Sequence, residues 1–234
     1  MKSTAAPDKT RQISLQVDEN DSISMIFSLP PADVFLQKTG VIIAHGAGND
    51  MDHPLLIAIA EGLAEAGYIA ARFNFPYKEK GLKIPDRQEK LEQTWIKILE
   101  YFQGNAGFKL DGVIAIGKSL GGRVAAQLVA ADRLNVSGLV FLGYPLNPPG
   151  QTEQLRDAHL YRISIPMLFI AGTRDSLCDM SKLRMVLKRM SSPWDLSIVE
   201  GGDHSLDLPA SAGVPPGKMH ANLTARIIRW LKGR

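Results

Sequence analysis

Hydrophobic and polar residues along the chain follow two alternating periods. Short apolar runs typical of buried strands lie at VIIAHG, YIAARFNF, GVIAIG, SGLVFLG, IPMLFIAG and WDLSIVEG. Apolar residues at spacings of three and four predict amphipathic helices at HPLLIAIAEGLAEAG, DRQEKLEQTWIKILEYFQG, SLGGRVAAQLVAAD, MSKLRMVLKRM and GKMHANLTARIIRWLKG. Buried strands that alternate with helices predict the α/β class, with a mostly parallel central sheet and helices on both faces.

The N-terminal part of the chain departs from this alternation. The stretch ISLQVDENDSISMIFSLP has two strand-like runs around a turn at Asn20-Asp21, which predicts an N-terminal antiparallel hairpin. Residues 1–11 are polar, and we expect them to be frayed. No internal repeat, low-complexity tract or linker interrupts residues 12–234, so we expect a single domain there.

Composition narrows the class of protein. The 234 residues carry a net charge of +3 and the basic residues are scattered, so nucleic acid is not an expected partner. The N-terminus lacks the apolar core of a signal peptide, and no apolar run approaches the roughly 18 residues that span a bilayer. One cysteine, Cys178, cannot form a disulfide within the chain. Together these features predict a cytoplasmic protein with no membrane partner.

The stretch DGVIAIGKSLGGR, residues 111–123, fits two motifs at once. From Gly112 it matches the phosphate-binding pattern G-x-x-x-x-G-K-S, and from Gly117 it matches G-x-S-x-G, a sharp strand-to-helix turn that presents a nucleophilic serine. The first motif needs a loop between its glycines, whose N–H groups surround the phosphates. The intervening residues VIAI are apolar and mostly β-branched, so they favour a strand. The second motif needs a strand, a turn and a helix in that order, as predicted around Ser119. Lys118, within the motif, is assigned no role.

A serine nucleophile needs a base and a group that orients the base. In parallel sheets the functional side chains lie just after the carboxyl ends of strands. Asp175 follows IPMLFIAG and His204 follows WDLSIVEG, in the chain order serine, acid, histidine. We therefore predict a catalytic triad of Ser119, Asp175 and His204. Without these partners, Ser119 would serve only as a helix N-cap.

Other residues are weaker alternatives for the acid and the base. Asp179 lies where a helix begins, and the side chain of Asp203 is expected to diverge from that of its neighbour His204. Three further histidines are generic polar residues that need no catalytic function, and the first of them is expected to open a helix: His53, His159 and His220.

A tetrahedral oxyanion needs two converging N–H donors. One is expected from Leu120, directly after the serine. The other is expected from Ala47, in the loop HGAGNDMDHP, although the glycines of this loop also fit a simple turn. His45 is interpreted as an organiser of this loop. The predicted substrate pocket is lined by His45, Asn49, Phe75, Tyr77, Tyr144 and Pro145.

Six segments occur in order from about residue 40 to the C-terminus: HGAGNDMDHP, RFNFPY, GKSLGGR, LGYPLNPPG, LFIAGTRD and GGDHSLD. As a set they resemble a small, lidless branch of the α/β-hydrolases related to dienelactone hydrolases, whose animal relatives include a testis-expressed protein and a subunit of a chromatin-modifying complex. The resemblance implies the α/β-hydrolase fold, the triad Ser119, Asp175 and His204, and the oxyanion donors Ala47 and Leu120. Dienelactone hydrolases use a cysteine where this chain has Ser119, so the resemblance implies a reaction type rather than a lactone substrate.

The expected function is that of a serine hydrolase, which cleaves a small acyl ester, thioester or related bond through an acyl-Ser119 intermediate. Its partner would be a small-molecule acyl substrate. No cofactor or metal is expected, because the chain has no H-E-x-x-H motif and no cysteine cluster. The alternatives are a non-catalytic interaction protein with the same fold and a P-loop nucleotide binder.

The sequence leaves little room for a lid over the serine. A lid would lie between the strands SGLVFLG and IPMLFIAG, where residues 144–165 must also cross back over the sheet, and such a crossover takes at least about 10–12 residues. The prolines of YPLNPPG keep its first part extended, which leaves only TEQLRDAHL for one short helix. We therefore expect no large lid and a shallow, open cleft.

Because strand residues occupy the supposed phosphate loop, we predict that the protein does not bind nucleotides specifically. Mg-ATP should leave the melting temperature unchanged in differential scanning fluorimetry. A rise of several degrees that is lost in Lys118→Ala would contradict the serine interpretation of the motif.

Overall fold

A computed structural model describes residues 9–34, 36–104 and 107–233. Within these ranges the strands are β1 (Thr10–Gln16), β2 (Ser22–Ser28), β3 (Thr39–Ala44), β4 (Ile69–Phe73), β5 (Gly112–Lys118), β6 (Gly138–Leu142), β7 (Met167–Gly172) and β8 (Trp194–Val199). The helices are α1 (Pro54–Glu65), α2 (Pro76–Glu79), α3 (Gln88–Gly104), α4 (Leu120–Ala130), α5 (Met180–Arg189) and α6 (Pro216–Lys232).

The strands form one sheet in the order β1-β2-β4-β3-β5-β6-β7-β8. β1 pairs antiparallel with β2 and β2 with β4, whereas the pairs from β4 across to β8 are parallel. The predicted α/β class, the mostly parallel sheet and the N-terminal antiparallel hairpin are therefore confirmed. β1 begins at Thr10, so Thr10 and Arg11 belong to a strand and not to the frayed segment predicted over residues 1–11. Residues 1–8 of that segment lie outside the described ranges.

Helices cover each face of the sheet. On one face α1 and α6 pack over an apolar cluster that includes Ile114 and Ile116 of β5. On the other face α3, α4 and α5 cover a second cluster, which includes the alternate residues Val113 and Ala115 of the same strand. Strands that are buried on both faces are apolar along their whole length, which explains the continuous hydrophobic runs in the sequence. None of the helices in the described ranges is long and apolar enough to cross a bilayer.

The connection from β6 to β7 contains a 3₁₀ turn at Leu160–Arg162, and residues 152–159, which the sequence left as room for at most one short helix, follow an irregular path. The side-chain amide of Asn147 donates to the carbonyl oxygens of Thr152 and Gln154, at 2.7 and 3.0 Å. These bonds satisfy backbone acceptors without helical pairing, which is why an irregular path is stable here. The connection carries no large lid, as predicted.

Residues 113–116 lie inside β5, with β3 paired on one side and β6 on the other. Their backbone groups belong to the sheet and do not form a loop. This position is incompatible with the phosphate-loop interpretation of the stretch from Gly112, and it places Ser119 directly after a central strand.

Candidate active site

Ser119 lies in the turn between β5 and α4, where its backbone has φ 47° and ψ −111°. A positive φ is strained for a residue with a side chain, and such strain concentrates at functional sites. Ser119 is the N-cap residue of α4, yet its side chain makes no capping hydrogen bond. The hydroxyl therefore has another partner, and the pure N-cap role that the sequence also allowed does not apply.

The elbow, defined here as residues 117–122, packs without room for side chains at its glycines. A Cβ atom built on Gly117 would lie 2.1 Å from the Gly122 nitrogen. A Cβ atom built on Gly121 would lie 2.6 Å from Ala44 Cβ and 2.7 Å from the His45 carbonyl oxygen. Both approaches are far closer than van der Waals contact. Glycine at these two positions allows β5, α4 and the end of β3 to meet around the serine.

Three side chains that are distant in sequence meet at the elbow. His204 Nε2 lies 2.8 Å from Ser119 Oγ, and His204 Nδ1 lies 2.9 and 3.0 Å from the two carboxylate oxygens of Asp175. With Asp175 as an acceptor, the imidazole proton is on Nδ1, and Nε2 accepts the hydrogen bond of the serine hydroxyl. The Asp175 side chain is fully buried, and that of His204 is 21% exposed. The structure thus brings together the serine, histidine and aspartate predicted to act as a triad.

The loops after β7 and β8 position the aspartate and the histidine. Asp175 Oδ1 also accepts the N–H of Leu177 at 2.8 Å, which fixes the orientation of the carboxylate. The two loops are joined by a hydrogen bond of 2.8 Å from the Arg174 N–H to the Gly202 carbonyl. Because all of the strands that carry these loops are parallel, their carboxyl ends share one edge of the sheet.

The alternative acids have partners of their own. Asp179 is the N-cap of α5 and accepts the N–H of Lys182 at 2.9 Å. Asp203 accepts the N–H groups of Ser205 and Asp207, which stabilises the turn within its own loop. Neither carboxylate is in the hydrogen-bond chain that ends at Ser119 Oγ.

Two of the other histidines also have structural partners. His53 is the N-cap of α1, as predicted, and its Nδ1 accepts the Leu55 N–H at 3.3 Å. His159 Nε2 lies 2.7 Å from the Tyr144 hydroxyl, and burial lowers the pKa of His159 to about 4. In the described parts of the chain, no group of three or more histidine, cysteine or acidic side chains is arranged to hold a metal ion.

The two predicted oxyanion donors adjoin the serine. Leu120 is the first residue of α4, where backbone N–H groups lack partners within the helix. Gly46 packs against the elbow, since a Cβ atom built on it would lie 3.4 Å from Ser119 Cβ. Ala47, the next residue, is therefore close to the serine. This placement supports, as a proposal, an oxyanion site between the N–H groups of Ala47 and Leu120.

Two buried side chains hold the loop that contains Ala47. His45 Nδ1–H donates to the Gly46 carbonyl at 2.8 Å, and His45 Nε2 accepts the Phe75 N–H at 3.1 Å. Burial lowers the pKa of His45 to about 4, so the imidazole stays neutral at neutral pH and keeps both bonds. The Tyr77 hydroxyl donates to the Ala47 carbonyl at 2.9 Å. The peptide groups on both sides of Ala47 are thereby held in one orientation.

Most of the predicted pocket residues lie beneath the surface. A side chain with almost no accessible area cannot line an open cleft in this conformation. The prediction that these residues line the pocket is therefore corrected: they lie beneath the loops and support them. The four residues that expose 2% or less are His45, Phe75, Tyr77 and Tyr144. Pro145 is also buried, whereas Asn49, in the loop after β3, is half-buried.

A cavity of about 520 Å³ lies near the N-termini of α1 and α6 rather than at the serine. Its lining includes His53, Asp207, Leu208, Met219 and His220, and it does not include the three side chains that meet at the elbow. The cavity therefore gives no support for a deep acyl pocket above the serine.

Lys118 is a buried residue to which the sequence motifs assigned no role. It is 3% exposed, and its Nζ lies 3.4 Å from Ser205 Oγ. The signal in the sequence was the alternation of β5, because Lys118 follows Ile114 and Ile116 on one face of a buried strand. A lysine on such a face is unusual enough to indicate a specific environment.

A family model described as an alpha/beta hydrolase domain matches residues 37–232. Solved structures are similar over nearly the whole chain. A dienelactone hydrolase from Anabaena variabilis has a TM-score of 0.73 at 19% identity and covers 96% of this chain and 98% of its own. An alpha-beta serine hydrolase homologue from Coxiella burnetii has a TM-score of 0.70 at 18% identity and covers 94% of this chain and 97% of its own.

A third similar structure is a serine hydrolase without a lid from Xanthomonas campestris. It has a TM-score of 0.68 at 20% identity and covers 86% of this chain and 88% of its own. At these identities the solved structures establish the fold alone. The predicted resemblance to lidless serine hydrolases and dienelactone hydrolases is confirmed, whereas the link to animal relatives stays a prediction.

Gly117→Ala is expected to destabilise the fold, because its Cβ atom would overlap the Gly122 backbone. Overpacking of this kind costs typically about 1–3 kcal/mol in the free energy of unfolding, which urea denaturation measures. The matched control is Gly217→Ala, since a Cβ atom there meets nothing within 4 Å. If Gly117→Ala is as stable as Gly217→Ala, the elbow accommodates a side chain at position 117 and the packing argument is wrong.

Proposed function

The chain belongs to the α/β-hydrolase domain family, and from this premise we propose that it is a serine hydrolase that cleaves small acyl esters, thioesters or related bonds. Membership of the family by itself supports a hydrolase. The observation that carries the finer assignment is the unbroken hydrogen-bond chain from Ser119 Oγ through His204 to Asp175. This chain contains a nucleophile, a base and an orienting group in the order that acyl transfer requires.

In the proposed reaction, His204 Nε2 removes the hydroxyl proton as Ser119 Oγ attacks the acyl carbon. The N–H groups of Ala47 and Leu120 donate to the oxyanion that forms. The imidazolium then gives its proton to the leaving group as the scissile bond breaks, which leaves an acyl-Ser119 intermediate. Asp175 keeps the proton on Nδ1 and stabilises the imidazolium.

The second half of the proposed reaction repeats these roles with water. His204 Nε2 takes a proton from a water molecule, whose oxygen attacks the acyl carbon of the intermediate. The proton returns to Ser119 Oγ as the bond between the serine and the acyl group breaks, and the acid product leaves. The chain supplies every group that these steps need, so the proposal includes no cofactor.

The lack of a large lid favours a small substrate. In lipid-cleaving enzymes a lid buries the apolar chain of the substrate. Here the connection from β6 to β7, where a lid would lie, is used to cross the sheet. With little apolar surface available for a long chain, we infer a preference for acyl groups of roughly two to six carbons. A small-molecule acyl substrate in an open cleft is the resulting proposal.

A non-catalytic interaction protein with the same fold remains the alternative from another functional class. It would need no reactive serine, and a fluorophosphonate probe separates the two. We expect a single covalent adduct at Ser119, identified by peptide mass spectrometry and absent in Ser119→Ala. A folded protein with no adduct would favour the interaction protein.

Removal of the nucleophile or of the orienting group should abolish turnover of a small p-nitrophenyl ester. Ser119→Ala and Asp175→Asn are each expected to lower kcat by about 10⁴-fold or more, the latter because the imidazole adopts the wrong tautomer. The matched controls are Asp179→Asn and Asp203→Asn, which change carboxylates that cap a helix or a turn. If Asp175→Asn has nearly the wild-type kcat while Asp179→Asn or Asp203→Asn loses most of it, the orienting group is misassigned.

Acyl-chain preference tests the open cleft. We predict that kcat/KM for p-nitrophenyl esters from acetate to palmitate is highest at about two to six acyl carbons. No rise in activity is expected as a substrate passes its solubility limit, since the described connection from β6 to β7 forms no large lid that could open. A maximum at twelve carbons or longer would contradict the open cleft.

A further inference from the structure

Lys118 is a buried cation on a strand face that is otherwise apolar. Ile114 and Ile116, four and two residues earlier on β5, pack in the cluster under α1 and α6, and Lys118 continues their face with 3% exposure. Burial of a lone ammonium group costs free energy unless its hydrogen bonds and charge are compensated. An apolar side chain would fill this place at a lower cost, so the lysine calls for a functional explanation.

The surroundings of Lys118 compensate its charge only in part. Within the described ranges it forms no direct salt bridge, and its hydrogen bond is to Ser205 Oγ at 3.4 Å. Burial lowers the pKa of Lys118, and three more distant carboxylates oppose this effect: Asp207, Asp203 and Asp175. His53, the N-cap of α1, lies within electrostatic range of Lys118: the pKa of His53 is lowered first by its own burial and then by the lysine charge.

The contact between Lys118 and Ser205 joins the neighbours of two residues of the candidate site. Lys118 directly precedes Ser119, and Ser205 directly follows His204. The contact therefore runs beside the 2.8 Å hydrogen bond between Ser119 Oγ and His204 Nε2 and links the same two loops a second time. We propose that Lys118 is a positioning residue that holds the His204 loop against the elbow through Ser205.

This proposal rests on the proposed serine-hydrolase function. The hydrogen bond between Lys118 and Ser205 limits movement of the loop that carries His204. Its loss should therefore lower kcat more than it changes KM, because the substrate still binds while the base is held less well.

Four variants test this contact in the full-length protein. Lys118→Met removes the donor at similar volume, Ser205→Ala removes the acceptor, the double variant removes both, and Lys118→Arg keeps a donor. The matched control is Lys97→Met, which removes an exposed lysine paired with Glu100 on α3. The readouts are kcat and KM for p-nitrophenyl acetate, and amide hydrogen exchange in the His204 loop by mass spectrometry. Melting temperatures verify folding.

In Lys118→Met and in Ser205→Ala we expect kcat to fall roughly two- to tenfold, the range for loss of one hydrogen bond, with little change in KM. The double variant should lose no more than either single variant, because both remove the same contact. Hydrogen exchange in the His204 loop should be faster in both single variants. Lys118→Arg should retain most of the wild-type kcat, and Lys97→Met should match the wild type.

A wild-type kcat in Ser205→Ala, or additive losses in the double variant, would overturn the positioning role. If Lys118→Met does not fold, Ser205→Ala still decides the point, because it removes the acceptor and leaves the lysine in place. If the wild type neither hydrolyses esters nor reacts with a fluorophosphonate, the proposed function fails, whereas hydrogen exchange in the His204 loop still tests the lysine contact.

Discussion

A positive φ at Ser119 is a costly backbone conformation, and the candidate site depends on the packing that imposes it. Gly117 and Gly122 touch backbone to backbone, and Gly121 lies against the end of β3. Because the backbone is packed this closely, the chain passes from β5 into α4 through the strained conformation at Ser119. Burial of apolar side chains holds the turn in place: β5 contributes to the clusters on both faces of the sheet, and α4 packs in one of them.

The same packing determines which residues can reach the serine. The strand order puts β3 and β6 on either side of β5, so the loop after β3 presses on the elbow. The histidine loop, which follows the edge strand β8, has to extend back over β7 and β6. Gly143, just after β6, makes this possible, because a Cβ atom there would lie 2.4 Å from the His204 carbonyl oxygen. The His204 loop can therefore cross the end of β6 because position 143 has no side chain.

Buried polar side chains give the site its electrostatic character. Asp175 is buried and accepts hydrogen bonds from His204 and the Leu177 N–H. His45 is buried and neutral, and both of its ring nitrogens bind the backbone of neighbouring loops. Lys118 is buried, and its Nζ donates a long hydrogen bond of 3.4 Å to Ser205 Oγ. Burial of a polar group costs free energy that its hydrogen bonds must offset, so the burial of these groups is explained by what they orient.

The sequence by itself determined the elements, because buried strands and amphipathic helices differ in hydrophobic period, and it predicted Ser119, Asp175 and His204 from their places after strands. It did not reveal the irregular path of residues 152–159, where Asn147 satisfies the backbone, and it failed for the pocket, where Tyr77 and similar side chains turned inward. Burial and side-chain direction depend on contacts between segments distant in the chain, which no local pattern contains. For the same reason only the tertiary structure placed Lys118 beside Ser205: the two are 87 residues apart, and their contact exists because the sheet brings the end of β5 and the loop after β8 to one edge.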